Sequence, residues 1–274
     1  MSPSSKLKSA YPELHDAVLK IEPCIQMLKD LKTHATIVQH YELEARFGKI
    51  KTRLGGNGEL LKHTFFSAGV SREFIDKAIQ MCISGKNKYS SNWKIHSHEW
   101  EETHDFFIKN NVRITTKFNS ETCSIQSSAL VKKKIWQTDI FAKSKSLQPL
   151  NDIFDIRISL NQECKVNMDT LPRVTNTKFM RIKQRKRFCY IPTGESRAMW
   201  AFDFTLSWSG KNKSDAEIAQ ATSQPTFEIE LEYIGTLAYL RKHSNIKIAT
   251  SLILKMKDFL AYFHQENLQF VPSQ

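Results

Sequence analysis

The sequence predicts an α+β fold that is predominantly antiparallel β: an eight-stranded barrel, or tunnel, with a polar lumen and with helices packed on its outside. Two observations predict it. Six short segments between residues 41 and 233 alternate polar and apolar side chains, as strands do, and their polar faces are sorted by charge sign from strand to strand. Apolar residues at helical spacing precede and follow this region. We expect an N-terminal helical segment (1–40), the barrel (41–234) and a C-terminal helix packed on it (235–274).

The predicted helices are three. The first spans Tyr11 to about Lys32, with Pro23 as an expected break or kink. The second spans Ser71 to Ile83, where Ser71 can cap the helix and the apolar residues share one face. The third follows Gly235 and runs to about His264. The polar stretch 209–226 is expected to be a surface loop.

Two of the predicted strands carry rows of carboxylates. In YELEARF, Glu42 and Glu44 share a face with Arg46. In FEIELEY, three glutamates lie opposite the apolar residues Phe227, Ile229, Leu231 and Tyr233. These glutamates are Glu228, Glu230 and Glu232. One further strand, AFDFTLSW, presents Asp203, Thr205 and Ser207 on its polar face.

The remaining strands carry basic or mixed polar rows. Their polar faces hold Arg181, Lys183, Arg185 and Arg187 in one strand, Arg113, Thr115 and Lys117 in another, and Arg157, Ser159, Asn161 and Glu163 in a third. Any one such strand is typical of an ordinary sheet with its charged side toward solvent. Six strands sorted by sign instead favour an enclosed lumen, and a barrel of about eight strands is wide enough for side chains or one small ligand.

Composition indicates the class of ligand. The formal net charge is +12, from 40 Lys+Arg against 28 Asp+Glu in 274 residues, so the long-range field attracts polyanions such as RNA, nucleotides or polyphosphate. The five cysteines are dispersed and lack the spacing of a zinc site, which is typical of reduced thiols. No signal peptide and no run of about 18 apolar residues occurs, so we expect an intracellular protein without a membrane segment.

The opposed charge rows suit a triphosphate. Facing carboxylates repel one another and raise one another's pKa unless a cation lies among them, and carboxylate-only ligation favours Mg²⁺ or Mn²⁺. Arginines and lysines can hold phosphate oxygens on the other side. Hydrolysis needs an in-line water, for which Glu230 and Glu163 are the candidates. No nucleophilic triad is evident, and the glycine-rich GGNGELLKH lacks the Gly-Lys-Ser/Thr ending of a P-loop.

The segments ELEARFG, VRIT, DIRISLNQE, RIKQRKR, FDFT and EIELEY occur in this order. Together they resemble the metal-dependent RNA 5′-triphosphatases of fungal, protozoal and large-DNA-virus capping systems, within the triphosphate tunnel metalloenzymes. The resemblance spans most of residues 41–233, and the ordered set is far more specific than a single Glu-x-Glu pair. It implies a tunnel of eight antiparallel strands that hydrolyses the γ-phosphate of triphosphate-ended RNA to a diphosphate end, the first step of mRNA 5′ capping.

The resemblance also implies residue roles. Glu42, Glu44 and Glu232 would bind Mg²⁺ or Mn²⁺ directly, with Glu230 and Glu163 acting through water. Arg113, Lys183 and Arg185 would hold the phosphates, and the basic rows add Arg181 and Arg157 as candidates. Four further positions look structurally or catalytically supportive: Phe47, Asp203, Thr205 and Glu228.

Two positions depart from the family pattern or leave it open. The first motif ends in Arg46, where the fungal type tends to have lysine, so a cation is kept. A further basic strand is expected near residues 129–135, which read ALVKKKI. Either Lys133 or the pair Lys132 and Lys134 faces inward, and we favour the pair as phosphate ligands.

The expected partners are RNA with a 5′-triphosphate end, free nucleoside triphosphates when manganese is supplied, and an mRNA guanylyltransferase on another chain. The nucleus is the expected compartment, or the cytoplasm if the source is viral. Two alternatives remain at the level of sequence. One is a tunnel-fold hydrolase of inorganic tripolyphosphate or thiamine triphosphate. The other is a non-catalytic basic RNA-binding module, although a pure binder has no use for aligned glutamates.

Overall fold

The computed structural model describes residues 12–35, 39–54, 60–84, 93–96, 99–119, 122–144, 154–171, 177–264 and 268–272. The α-helices in these residues are α1 (His15–Thr33), α2 (Arg72–Ser84), α3 (Lys213–Thr222), α4 (Leu237–Lys242) and α5 (Asn245–His264). The strands are β1 (Gln39–Leu54), β2 (Leu60–Ala68), β3 (Trp93–Ile95), β4 (Glu101–Phe107), β5 (Val112–Asn119), β6 (Ser124–Ser144), β7 (Asp155–Val166), β8 (Phe179–Tyr190), β9 (Trp200–Gly210), β10 (Thr226–Tyr233) and β11 (Leu268–Pro272).

Eight of the strands close into an antiparallel barrel. Their order is β1, β10, β9, β8, β4, β5, β6 and β7, and β7 pairs with β1 to complete the circle. The predicted fold is therefore confirmed. Closure leaves no free edge within the ring, so every barrel strand has a hydrogen-bonding partner on both sides.

Three more strands extend the sheet beyond the ring. β2 pairs with the second half of β1, β3 with β8, and β11 with β6. The branch at β1 begins at Gly48, which pairs with Ala68 of β2. A side chain at Gly48 would collide with the Phe66 ring and the Ser67 carbonyl, so this close approach requires glycine.

The hydrophobic core lies between the outer face of the barrel and the helices. Leu43 of β1, Ile158 of β7 and Phe202 of β9 are fully buried on that face. α5 packs on it through Phe259, whose ring centroid is 3.9 Å from that of Phe202. α2 packs through Phe74, 5.5 Å from the Phe47 ring. Each such side chain contributes about 1.5–3 kcal/mol when fully buried. The apolar parity of the strands thus faces outward, beneath the helices, and the polar parity faces the lumen.

The first two predicted helices occur with small differences at their ends, whereas the third is divided into α4 and α5 between Lys242 and Asn245. Pro23 lies inside α1, which continues without interruption from His15 to Thr33, so a break at Pro23 is wrong and a kink there stays a prediction. Ser71 caps α2 as predicted, since its Oγ accepts a hydrogen bond of 3.2 Å from the Phe74 amide. The glycine-rich turn expected at residues 55–58 lies outside the described residues.

The stretch 209–226 was predicted to be a surface loop, and this is wrong. It contains the helix α3. Asn212 caps it, because its Oδ1 accepts from the Asp215 amide at 2.9 Å. Ala216 is fully buried against Met180 and Ile182 of β8. Because Ala216 is the one buried residue of this short helix, the segment looks polar throughout in sequence. The three-part division into residues 1–40, 41–234 and 235–274 stays a prediction, and β11 shows that the C-terminal segment also supplies a strand.

Among the described residues, no helix has the length and apolar character needed to cross a membrane.

Candidate active site

The lumen brings an acidic wall and a basic wall together. β1 and β10 are neighbours and supply the carboxylate rows, with Glu44 directly opposite Glu232 and Arg46 opposite Glu230. β8 lies two strands from β10, with β9 between them, and supplies the basic row. In this row Arg185 pairs with Thr205 of β9. Strand parity alone determines which side chains face the lumen. The register between strands determines which of them contact one another.

Glu44 is the most enclosed carboxylate of β1, with 4% of its surface exposed. Asn161 of β7 donates a hydrogen bond of 3.1 Å to its Oε1. Lys132 of β6 donates to its Oε2 at 3.0 Å and also to Glu42. Lys132 therefore faces the lumen, which agrees with the favoured orientation of this strand. Lys134 contacts Gln137 at 2.8 Å and is exposed.

The two carboxyls that face each other across β1 and β10 carry excess negative charge. Burial raises the pKa of Glu44, and the charges of Glu42 and Glu230 raise it further against the opposing effect of Arg46. Burial and then Glu42 raise the pKa of Glu232 from 4.5 to about 7. Both shifts come first from burial, to which the neighbouring glutamate charges add, and a bound cation would oppose both effects.

The raised pKa of Glu232 predicts a pH-dependent stability difference. A carboxyl whose pKa is higher in the folded state than in the unfolded state stabilises the fold fully at pH values below the unfolded-state pKa. This contribution is lost as the pH rises toward about 7, the pKa of the folded state. Without divalent cations, Glu232→Gln is therefore expected to gain in melting temperature relative to wild type as the pH rises from 5 to 8. Thermal unfolding at several pH values in chelator measures it. A difference that stays constant with pH would contradict the shift.

Glu230 has the opposite electrostatic setting. Burial alone would raise its pKa, but Arg46, Arg185 and Lys183 outweigh burial and lower it to about 2. Arg46 lies 2.9 Å from its Oε1. Glu230 is thus ionised at all working pH values. It can accept hydrogen bonds from a water and orient it, but it is a weak proton acceptor.

Lys183 of the basic wall is held by a carboxylate that the sequence analysis missed. Asp105 of β4, 2% exposed, lies 2.6 Å from the Lys183 Nζ and accepts a hydrogen bond of 2.7 Å from Thr115. Both Asp105 and Thr115 point into the lumen. The segment EETHDFF carries a signal for it, because Glu101, Thr103 and Asp105 are spaced two residues apart and therefore share one face of a strand.

Asp203 joins two arginines of β8. Arg187 donates to both of its oxygens at 2.6 Å, and Arg185 lies 3.4 Å from Oδ2. Arg187 also donates to Glu232 at 2.7 Å. It thus links β8, β9 and β10. The sequence analysis placed Arg187 in the basic row but gave it no role, because its distance from Glu232 depends on how the strands pair.

The other predicted residues occupy the same lumen with different partners. Arg113 lies 3.4 Å from Glu163, and Arg181 lies 3.6 Å from Glu228. Thr205 is buried, and its hydroxyl has no hydrogen-bond partner among the described residues.

Arg157 is held both by a carboxylate and by an aromatic ring. It makes two hydrogen bonds, of 2.7 and 2.8 Å, with Asp139 of β6. Its guanidinium lies 4.7 Å from the centre of the Phe66 ring. This arrangement resembles a structural ion pair in the barrel wall more than an open phosphate ligand.

The donor set fits a hard divalent cation. Glu42, Glu44 and Glu232 offer only carboxylate oxygens, the ligands that Mg²⁺ and Mn²⁺ prefer, and two of the three have raised pKa values that a cation would reverse. In the described part of the chain, no three His, Cys, Asp or Glu side chains are arranged to hold a metal as they stand. Lys132 and Arg187 lie against these carboxylates.

A closed barrel whose lumen sets carboxylates against guanidinium and ammonium groups has the components required of a hydrolase that acts on a triphosphate group. The comparisons with known proteins agree. The family described as "mRNA capping enzyme, beta chain" matches residues 24–263. Among curated proteins, none matches the chain by sequence.

Solved structures of one S. pombe protein share the fold. The S. pombe Pct1 RNA triphosphatase aligns with a TM-score of 0.58 at 15% identity, over 89% of this chain and 93% of that one. The same protein in complex with the Spt5 CTD aligns with a TM-score of 0.57 at 16% identity, over 92% and 94%. The Mimivirus capping enzyme triphosphatase aligns with a TM-score of 0.49 at 12% identity, over 88% and 96%.

The chain belongs to the mRNA capping enzyme beta chain family. Its function is therefore that of an mRNA-capping RNA 5′-triphosphatase, which removes the γ-phosphate from triphosphate-ended RNA. The family is metal-dependent in general.

Proposed function

We propose that this triphosphatase requires Mg²⁺ or Mn²⁺ held by Glu42, Glu44 and Glu232, with Glu230 and Glu163 contacting the hydrated cation through water. The observation that carries the proposal is the pairing of Glu44 with Glu232 across β1 and β10, where both carboxyls have raised pKa values. A bound cation supplies charge neutralisation here and polarises a phosphoryl oxygen.

The basic wall binds the triphosphate. Lys183 and Arg185 stand beside the carboxylate wall, and Arg113 approaches from β5. Held by Asp105 and Asp203, the first two keep fixed positions while their remaining donors meet the phosphate oxygens. Fixed donors stabilise charge that develops on the γ-phosphoryl group without reorganising during the reaction. Arg181, Lys132 and Lys134 extend this wall, whereas Arg157 supports the barrel through Asp139.

Glu230 orients the attacking water. It is ionised and anchored by Arg46, so its second oxygen can accept a hydrogen bond from a water in line with the leaving diphosphate. Glu163 of β7, which pairs with Arg113 of β5, is the second candidate. Asp203 and Glu228 support the arginines of β8 and thereby keep the phosphate ligands in place.

The product defines the expected partner. A diphosphate RNA end is the substrate for guanylyl transfer, so we propose that this chain acts with an mRNA guanylyltransferase on another chain, in the nucleus. Affinity purification of the tagged protein from nuclear and cytoplasmic fractions tests both points. Recovery of a guanylyltransferase activity with the nuclear fraction supports them, and recovery of the protein from the cytoplasm alone contradicts the nuclear assignment.

A phosphate-release assay tests metal dependence and substrate. Purified protein is incubated with γ-labelled triphosphate-ended RNA in chelator, in Mg²⁺ and in Mn²⁺, and release is expected only with a divalent cation. Specificity constants for RNA, a free nucleoside triphosphate and inorganic tripolyphosphate are then compared. RNA is expected to be the best substrate. Release in chelator would contradict the metal site, and a preference for tripolyphosphate would favour the alternative hydrolase.

A further inference from the structure

Lys132 is held by two carboxylates that are both proposed direct metal ligands. Arg187 contacts one such ligand, Glu232, but it also makes two hydrogen bonds to Asp203. Arg46 likewise contacts Glu44 but also pairs with Glu230. The Lys132 ammonium instead lies between Glu42 and Glu44, with its Nζ 3.0 Å from Glu44 Oε2. A cation that binds through these two carboxylates must take the place of this ammonium.

We propose that Lys132 is an exchangeable counter-ion: a divalent cation displaces its ammonium from Glu42 and Glu44, and the freed ammonium becomes a ligand of the triphosphate. This inference rests on the proposed metal site and adds an order of events to it: the metal displaces the ammonium, and the ammonium then contacts the triphosphate. Metal binding would create one of the phosphate contacts, so metal and triphosphate would each strengthen the binding of the other.

The position of Lys132 allows both contacts. It stands on β6 opposite Glu163 of β7, and Glu163 pairs with Arg113, so the lysine lies beside one of the proposed phosphate ligands. Lysine suits an exchange, because a point charge on a flexible four-carbon chain can change partners. Arg187, by contrast, is fixed by two parallel hydrogen bonds to Asp203 and stays in place.

The first experiment measures Mn²⁺ binding without any phosphate substrate, by isothermal titration calorimetry. Lys132→Met removes the competing charge and is expected to bind Mn²⁺ at least about fivefold more tightly than wild type, the lower end of typical coupling between sites. Lys132→Arg keeps a charge and is expected to bind Mn²⁺ no more tightly than wild type. Lys133→Met is the matched control, since it removes the same charge from the exposed opposite face of β6.

Metal-induced stabilisation gives a second readout that does not depend on activity. Because a ligand that binds the folded state stabilises it more when it binds more tightly, the rise in melting temperature on adding Mn²⁺ is expected to be larger for Lys132→Met than for wild type or Lys133→Met. This comparison remains interpretable if Lys132→Met is less stable without metal.

The last measurement tests the proposed reuse of the ammonium. The affinity for an uncleaved β,γ-imido nucleoside triphosphate is determined with and without Mn²⁺, and the gain from Mn²⁺ is expected to be smaller in Lys132→Met. If wild type binds no Mn²⁺, the proposed metal site fails. If wild type binds Mn²⁺ but Lys132→Met binds it equally or more weakly, the metal site stands and the exchange is overturned.

Discussion

Glu44→Ala and Glu230→Ala are each expected to lower kcat/KM for triphosphate-ended RNA by on the order of a hundredfold or more, as removal of one transition-state stabiliser typically does. Glu44 is the enclosed carboxylate of the proposed metal site, and Glu230 is the ionised group that orients water. Steady-state kinetics at the Mg²⁺ or Mn²⁺ concentration that saturates the wild type measures both losses. For Glu44→Ala, part of the loss should be recovered by raising the metal concentration, whereas Glu230→Ala should recover less.

The matched control is Glu73→Ala, on the exposed surface of α2, where the glutamate pairs with Lys77 in the next turn. Its kcat/KM is expected to equal that of wild type, since surface pairs of this kind contribute little. Circular dichroism of all three variants checks that the fold is kept. A folded Glu44→Ala or Glu230→Ala with wild-type activity would remove that residue from the proposed site.

Asp203→Ala is expected to destabilise the fold by about 3 kcal/mol, the lower end for a broken buried pair, because the half-buried Arg185 and Arg187 lose the carboxylate that they share, although Arg187 keeps Glu232. Asp203 is 2% exposed and neutralises both Arg185 and Arg187, and the latter pair joins β8 to β9. Urea unfolding followed by circular dichroism measures the change as a lower midpoint at an unchanged slope. Activity is expected to fall as well, since Arg185 loses the group that positions it.

Asp76→Ala provides the comparison for a surface pair. Asp76 lies on α2, 65% of its side chain is exposed, and its contact with Arg72 is 3.7 Å long. Its loss is expected to change the free energy of unfolding by no more than about 0.5 kcal/mol. If Asp203→Ala costs no more than Asp76→Ala, the Asp203 cluster does not hold the barrel together.

Much of the site could be predicted from local sequence because strand side chains alternate. Glu42 and Glu44 on β1, and Glu230 and Glu232 on β10, fall on the polar parity of their strands, opposite residues that the structure buries. Sequence also indicated that the rows are sorted by charge, which favoured a lumen. It did not find Asp105, because the surrounding EETHDFF was not recognised as one more alternating strand.

Contacts between strands could not be predicted in the same way. Lys132 contacts Glu44, which lies 88 residues away in the sequence. Arg157 contacts Asp139 because β6 pairs with β7, and this pairing contains a register shift near Trp136. A shift by one residue would turn every side chain to the other face. For this reason the sequence of the LVKKKI segment does not decide which lysines face inward, and it does not show that Arg157, a predicted phosphate ligand, pairs with Asp139.

By itself, the sequence determined which side of each main strand is polar, where α1, α2 and α5 lie, and which charges are available for chemistry, because these properties depend on periods of a few residues. Only the tertiary structure decided that β1 and β10 are neighbours, that Glu44 faces Glu232, and that 209–226 contains a helix anchored by Ala216. These features depend on hydrogen bonds and burial between segments far apart in the chain. A repeating pattern within one short segment cannot predict them.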